Sequence, residues 1–327
     1  MKPTLLVVEL WGLGDLVIAT PFLRAASDRF QVTLLSKPHA LELRGRFWPG
    51  VKVLPLVAPW TAFRHKYQLL KWPWRELLGL RNLRKERFEM GVSARWDPRD
   101  HFLLRFVAAR KRFGFPRMGS QVFLTNPLKR PEPMMHRMDY WRALGRALGF
   151  EVPAALQGTS PPVGRSSGHE LLVHTGAGQK LRVWPLDRYR NLVERLRQQN
   201  YNVRVICDAD QEDWWRSAGE RQPMVTRTLD EFIALAETAG AFIGNDSGPG
   251  HLAALCGVPT FTIFGPQLPE LFAPLHPAAE WLEGRACPYK PCWDSCRFPQ
   301  PNCLWDLDEQ AVWSKVEPFV LKHIKKP

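Results

Sequence analysis

The sequence predicts an α/β protein built from two doubly wound, parallel-sheet domains. Three observations carry that prediction. At 327 residues the chain exceeds what one core ordinarily serves, so two domains are the default. Short apolar runs alternate with helix-like stretches, once before residue 151 and again after 168. Between the two series lies EVPAALQGTSPPVGRSSG (151–168), rich in Pro, Gly and Ser and poor in apolar periodicity, which reads as a linker. Strands alternating with helices form right-handed βαβ units and hence parallel sheets. Each half is therefore expected to be Rossmann-like, the two facing one another across a cleft with ligands beyond the carboxyl ends of the strands. The expected boundaries are a first domain at 1–155, a linker at 156–168, a second domain at 169–307 and a closing helix at 308–327.

In the first half TLLVVEL (4–10) is a strand. Its apolar run is short and meets Glu9, which does not fit a secretory signal. A helix follows from Val17 to Phe30, then strands QVTLLS (31–36), VKVLPL (51–56) and FEMGVSA (88–94). The second half repeats the scheme with ELLVHTG (170–176), a helix Leu186–Gln199, NVRVICD (202–208) and a helix Leu229–Ala239. AFIGND, a helix from Pro249 to Cys256 and PTFTIFG complete it. From Asp308 to Lys325 the apolar residues Val312, Val316, Phe319, Val320 and Ile324 recur at helical spacing, marking an amphipathic closing helix.

No run approaches the roughly 20 apolar residues of a membrane-spanning helix, so a cytoplasmic protein is expected. Charge is divided unevenly. Residues 1–147 hold 27 Lys and Arg against 11 Asp and Glu, while the remainder hold 18 against 21. A basic first half suits an anionic partner, although a solvated face would carry the same charge. Four of the six cysteines follow one another as Cys287-x4-Cys292-x3-Cys296-x6-Cys303. Four thiolates so close could close a structural zinc site, or they are reduced thiols of a cytosolic chain.

The first strand ends in Trp11-Gly12-Leu13-Gly14-Asp15. A dinucleotide fingerprint would need glycine at position 17, where Val17 stands, and an acid after the second strand, where Ser36-Lys37 stands. A nicotinamide enzyme is therefore disfavoured. What remains is a turn whose Gly14 lets a substrate approach, with Asp15 either capping a helix or serving as a catalytic carboxylate. HTGAGQKLRVWP (174–185) is a glycine-containing loop with Lys180 and Arg182, suited to a diphosphate yet lacking the Gly-Lys-Ser/Thr of a Walker loop. Asp208-Ala209-Asp210 has the form of a metal-binding pair but reads as a solvated loop among further acids. In GNDSGPGHLAALCGVPTFTIFGP (244–266) a glycine-rich turn enters a helix. Its unpaired N–H groups, the hydroxyl of Ser247 and the ring of His251 make a phosphate a natural guest; a capped helix with a core histidine is the plainer reading.

NDSGPGHLAA (245–254), followed by Phe264-Gly265-Pro266, resembles the signature of glycosyltransferase family 9, the lipopolysaccharide heptosyltransferases. The Gly12-Leu13-Gly14-Asp15 turn, Pro21-x-Leu23-Arg24 and the Arg182-Val183-Trp184-Pro185 stretch resemble that family's other motifs. The resemblance implies a GT-B architecture, with acceptor on the first domain and nucleotide-sugar on the second. It also implies inverting chemistry that needs no catalytic metal or cofactor. By the same resemblance Asp15 matches the general base, and Arg182 takes the place of a lysine that meets the leaving diphosphate. Asp246, Ser247, Gly248 and His251 match the phosphate-binding turn, and Asp230 stands where a glutamate grips the ribose. Lys180 is a further phosphate contact. The sequence departs from the pattern at Gln267-Leu268-Pro269, at Arg182 and at Asp230, all bordering the donor site.

The expected reaction is transfer of a sugar, heptose from ADP-heptose, onto a lipopolysaccharide core or related surface glycan. A carboxylate is a weak base, so Asp15 would take the hydroxyl proton late, as the new bond forms. The basic first half then suits an anionic glycolipid held by Gly14, Arg64, Lys66, Arg95 and Arg99. The aromatics of PWTAFRHKY and KWPWR would rest peripherally on the cytoplasmic face of the inner membrane. The alternative is a GT-B protein that binds a sugar nucleotide without catalysis. No nucleic-acid-binding signature accompanies the basic charge, so no nucleic-acid partner is expected.

Overall fold

The computed structural model describes residues 2–62, 80–132, 134–153, 168–292 and 295–325. The chain divides into two compact units, Met1–Pro153 and Ala154–Pro327.

The first unit carries a six-stranded sheet of order β3-β2-β1-β4-β5-β6. Its strands are β1 (Thr4–Glu9), β2 (Gln31–Ser36), β3 (Lys52–Pro55), β4 (Met90–Val92), β5 (Lys111–Gly114) and β6 (Asn126–Pro127). Every pairing is parallel, with Val7 opposite Leu34 on one side and Val92 on the other. β1 lies between two neighbours and is covered on both faces, which is why Leu5, Leu6, Val7 and Val8 are all apolar and wholly buried. The expected single helix after β1 is two: Leu13–Ile18 and Thr20–Ser27. Pro21 has no N–H to offer the Val17 carbonyl, and the joint falls at Ala19. Phe22 then packs on Trp141 and Phe150, at ring distances of 4.9 and 5.4 Å, tying this helix to the helix Arg137–Ala147.

The second unit has a five-stranded sheet of order β11-β10-β9-β7-β8. Its strands are β7 (Glu170–His174), β8 (Asn202–Ile206), β9 (Ala239–Asn245), β10 (Thr260–Phe264) and β11 (Ala279–Glu283), all parallel. One core joins Val173, Ile243 and Ile263 of the sheet to Trp184, Tyr189, Leu192 and Leu196 of the helix Leu186–Gln198 and its approach. Val316, Phe319 and Val320 of the closing helix Glu309–His323 enter the same core. Both sheets are doubly wound, the first in 3-2-1-4-5-6 order and the second in 2-1-3-4-5 order. Each reverses direction beside its first strand, which places a crevice at the carboxyl ends of β1 and β4 and another at those of β7 and β9. β5, β6 and β11 are strands that hydrophobic patterning did not indicate. Among the described residues no helix is long and apolar enough to cross a membrane.

Candidate active site

β1 and β4 are hydrogen-bonded neighbours, so Glu9 at the end of one and the Ser93–Arg95 segment after the other arrive at the same sheet edge. The chain turns at Gly12 into the helix Leu13–Ile18, where Asp15 is the third residue. Its Oδ2 accepts from the Gly12 N–H at 3.3 Å, so Asp15 does cap the helix. Its Oδ1 is ion-paired with the guanidinium of Arg95. That guanidinium also lies 4.9 Å from the centre of the Trp11 ring. Two further acids stand behind the pair, Glu9 at 2% and Asp100 at 0% exposure. Glu9 accepts from the Trp11 N–H at 3.1 Å, and Ser93 Oγ donates to Asp100 at 3.4 Å.

Burial pushes Glu9 up to about 8; Arg95 opposes this, and the charges of Asp15 and Asp100 add to it. Asp100 is raised to about 7, by burial and by Asp97, against Arg95 and the side chains of Trp11 and Trp60. Burial works against the charge of Arg95, but Asp15, Glu9 and Asp100 outweigh it and raise its pKa. Arg137, also buried, is lowered to about 9 by burial and by Arg95, and its guanidinium sits 4.1 Å from the Trp96 ring centre. Glu9 has a local sign in the sequence, as an acid closing an apolar run. Asp100 and Arg137 belong to helices far along the chain and left none.

In the second unit, Asn245 ends β9 and holds three segments. Its Oδ1 accepts from the Trp184 N–H at 3.0 Å and the Tyr189 hydroxyl at 2.9 Å. Its Nδ2 donates to the carbonyls of Thr175 at 2.9 Å and Gly176 at 3.3 Å. The loop after β7 is thereby fixed to the end of β9. A Cβ at Gly176 would lie 2.2 Å from the Asp208 carboxyl carbon, so any larger residue there would displace the Asp208 side chain. Arg182 reaches across to Asp246 at 3.1 Å, pairing a quarter-exposed guanidinium with a buried carboxylate. Ser247 is the N-cap of the helix Gly248–Leu255, and Gly248, Pro249 and Gly250 form its first turn. The Ser247 Oγ is buried and has no hydrogen-bond partner among the described residues, as is true of Thr262 Oγ1 and Gln267 Oε1. His251 is buried in the same turn. A hydroxyl, a guanidinium and amide N–H groups at a helix N-terminus make a setting for an anion.

The structure thus brings Asp246, Ser247, Gly248, His251 and Arg182 together, and separately gathers Asp15 with Arg95. Gly14 lies in the same helical turn as Asp15. Arg99 turns back on Asp97 with a bond of 2.6 Å and covers the Trp60 ring at 5.5 Å. Lys180 is 93% exposed and pairs with Asp210 at 3.6 Å, at the rim rather than inside. Asp230 is exposed in the first turn of the helix Leu229–Thr238. Arg64 and Lys66 lie outside the described residues.

Cys287, Cys292, Cys296 and Cys303 line one pocket of about 170 Å³ with Pro266, Tyr289 and Arg297. Among the described residues no three His, Cys, Asp or Glu side chains are placed together to hold a metal. Cys303 is buried, and burial pushes its thiol up to about 11, against Lys290 and with the neighbouring thiols. None of the four cysteines is in a disulfide.

The model of glycosyltransferase family 9 (heptosyltransferase) matches residues 79–300. Lipopolysaccharide heptosyltransferase 1 of Pseudomonas aeruginosa is 27% identical over 166 residues, 42% of this chain and 44% of that protein. The matched stretch thus spans less than half the length of this curated relative. Among solved structures, a family 9 glycosyltransferase from Veillonella parvula superposes with a TM-score of 0.74 at 17% identity, covering 98% of both chains. Escherichia coli heptosyltransferase WaaC with ADP gives 0.72 at 17% identity, covering 97% of this chain and 99% of that one. These likenesses establish the GT-B fold, of which the two Rossmann-like units are the two domains. With its signature turn, its fold and a family match over most of its length in agreement, the chain belongs to glycosyltransferase family 9, the heptosyltransferase family.

Proposed function

We propose that this chain is an inverting, metal-independent glycosyltransferase that moves heptose from ADP-heptose onto a lipopolysaccharide core or related surface glycan. The observation that carries the reading is the anion setting of the second unit. There Ser247 Oγ lies buried without a partner, at the head of a glycine-rich helix start beside Arg182. The donor diphosphate lies against the N–H groups of Gly248 and its neighbours, with Ser247, His251 and Arg182 as donors and Lys180 at the rim. Asp230, exposed in its helical turn, takes the ribose hydroxyls. The acceptor hydroxyl attacks the anomeric carbon on the face opposite the diphosphate. A new C–O bond forms, the bond to the diphosphate breaks, and the proton passes to Asp15. The departing nucleoside diphosphate gathers charge, which Arg182 and the helix N-terminus meet; one such preorganised donor is worth about 2.7–4 kcal/mol.

The acceptor is an anionic glycolipid met by the basic first unit through Gly14, Arg95 and Arg99, together with Arg64 and Lys66. The enzyme works on the cytoplasmic side, with peripheral contact to the inner membrane. No cofactor takes part.

Thermal shift with saturating ADP, UDP, GDP and CDP tests the donor assignment. A ligand at about 100 times its Kd stabilises the native state by roughly 2.7 kcal/mol, a readable rise in Tm. ADP alone should give it. A shift with another nucleotide and none with ADP would discard ADP-heptose, and a shift with none of the four would discard the diphosphate site.

A further inference from the structure

Arg95 touches the carboxylate that the proposed transfer uses as its base. We propose that Arg95 is the positioning residue of the transfer step: it fixes the Asp15 carboxylate by an ion pair. This rests on the reading of Asp15 as the base.

Arg95 takes Asp15 Oδ1 while the Gly12 N–H takes Oδ2, so the carboxylate is clamped through both oxygens and cannot rotate without losing one bond. The guanidinium is itself held by the Trp11 ring, and the Arg95 carbonyl lies 3.1 Å from His101 Nε2. A base aimed in this way meets its substrate in one orientation, where a misplacement of about 1 Å can cost roughly a hundredfold in rate.

The test compares the wild type with Asp15→Asn, Arg95→Gln and Arg95→Lys. With ADP-heptose and a heptose-deficient lipopolysaccharide, Arg95→Gln should lower kcat about a hundredfold with little change in donor KM, and Arg95→Lys should recover part of it. If Asp15→Asn transfers as well as the wild type, the base reading itself fails. If Asp15→Asn is inactive while folded Arg95→Gln or Arg95→Lys keeps full kcat, the base stands and the positioning role is overturned.

Discussion

The two crevices are built on the same topological device, but their polar groups are balanced in opposite ways. At the ends of β1 and β4, Asp15, Glu9 and Asp100 share Arg95, and the surplus of acid is absorbed by raised proton affinities. At the ends of β7 and β9, the neutral amide of Asn245 ties three segments together, and one carboxylate meets one guanidinium. The first arrangement is sensitive to protons. The second keeps donors unspent, with Ser247 Oγ the clearest case, and is suited to receive negative charge. That division would suit the proposed transfer, which moves a proton at one place and a diphosphate at another.

The largest expected effect comes from breaking the neutral side. Asn245→Ala leaves the Trp184 N–H and the Tyr189 hydroxyl without this acceptor and takes its amide donor from the Gly176 carbonyl, while the Thr175 carbonyl keeps Gln211 Nε2 at 3.2 Å. Leaving buried groups unsatisfied costs about 1–3 kcal/mol each, so a loss on the order of 4 kcal/mol should appear in chemical denaturation. Retained stability would show that the amide is dispensable. Next comes Arg182→Gln, which removes a cation from the anion setting and strands the buried Asp246. ADP affinity should fall by about 2–3 kcal/mol in calorimetry, and the paired change Arg182→Gln with Asp246→Asn should recover stability but not affinity.

Glu9 sharpens the other side. Its proton affinity is higher in the folded protein, about 8 against an ordinary 4.5. Between those values the folded state binds more protons than the unfolded chain, so this residue's contribution falls as pH rises across the window. In chemical denaturation Glu9→Gln should then match the wild type near pH 4 and gain on it steadily as pH rises to about 8. A difference that does not vary with pH would break the contrast between the crevices. The smallest effect belongs to the rim: Lys180 is 93% exposed, so Lys180→Ala should change stability by less than about 0.5 kcal/mol.

Strands whose both faces are covered were legible in the sequence, because an uninterrupted apolar run has few other uses. QVTLLS is β2 to the residue, and TLLVVEL overshoots β1 by one. β5 reads KRFG and β11 reads AEWLE; each lies nearer a sheet edge, where charged residues cost little, so patterning passed them over. The same logic divides the site. The glycine turn at 244–250 and the loop at 174–185 are local, and their chemistry could be read from neighbours in sequence. The partnership of Asp15 with Arg95, and the buried acids around it, depends on β1 and β4 lying side by side. No spacing within either segment encodes that.

The most direct test of the account measures transfer and nucleotide binding in parallel on Asp15→Asn. Asp15 belongs to the first unit, and the anion setting to the second. ADP should therefore bind Asp15→Asn as it binds the wild type, while sugar transfer to the glycolipid acceptor disappears. Transfer at the wild-type rate by Asp15→Asn would contradict the assignment of proton and diphosphate to separate crevices.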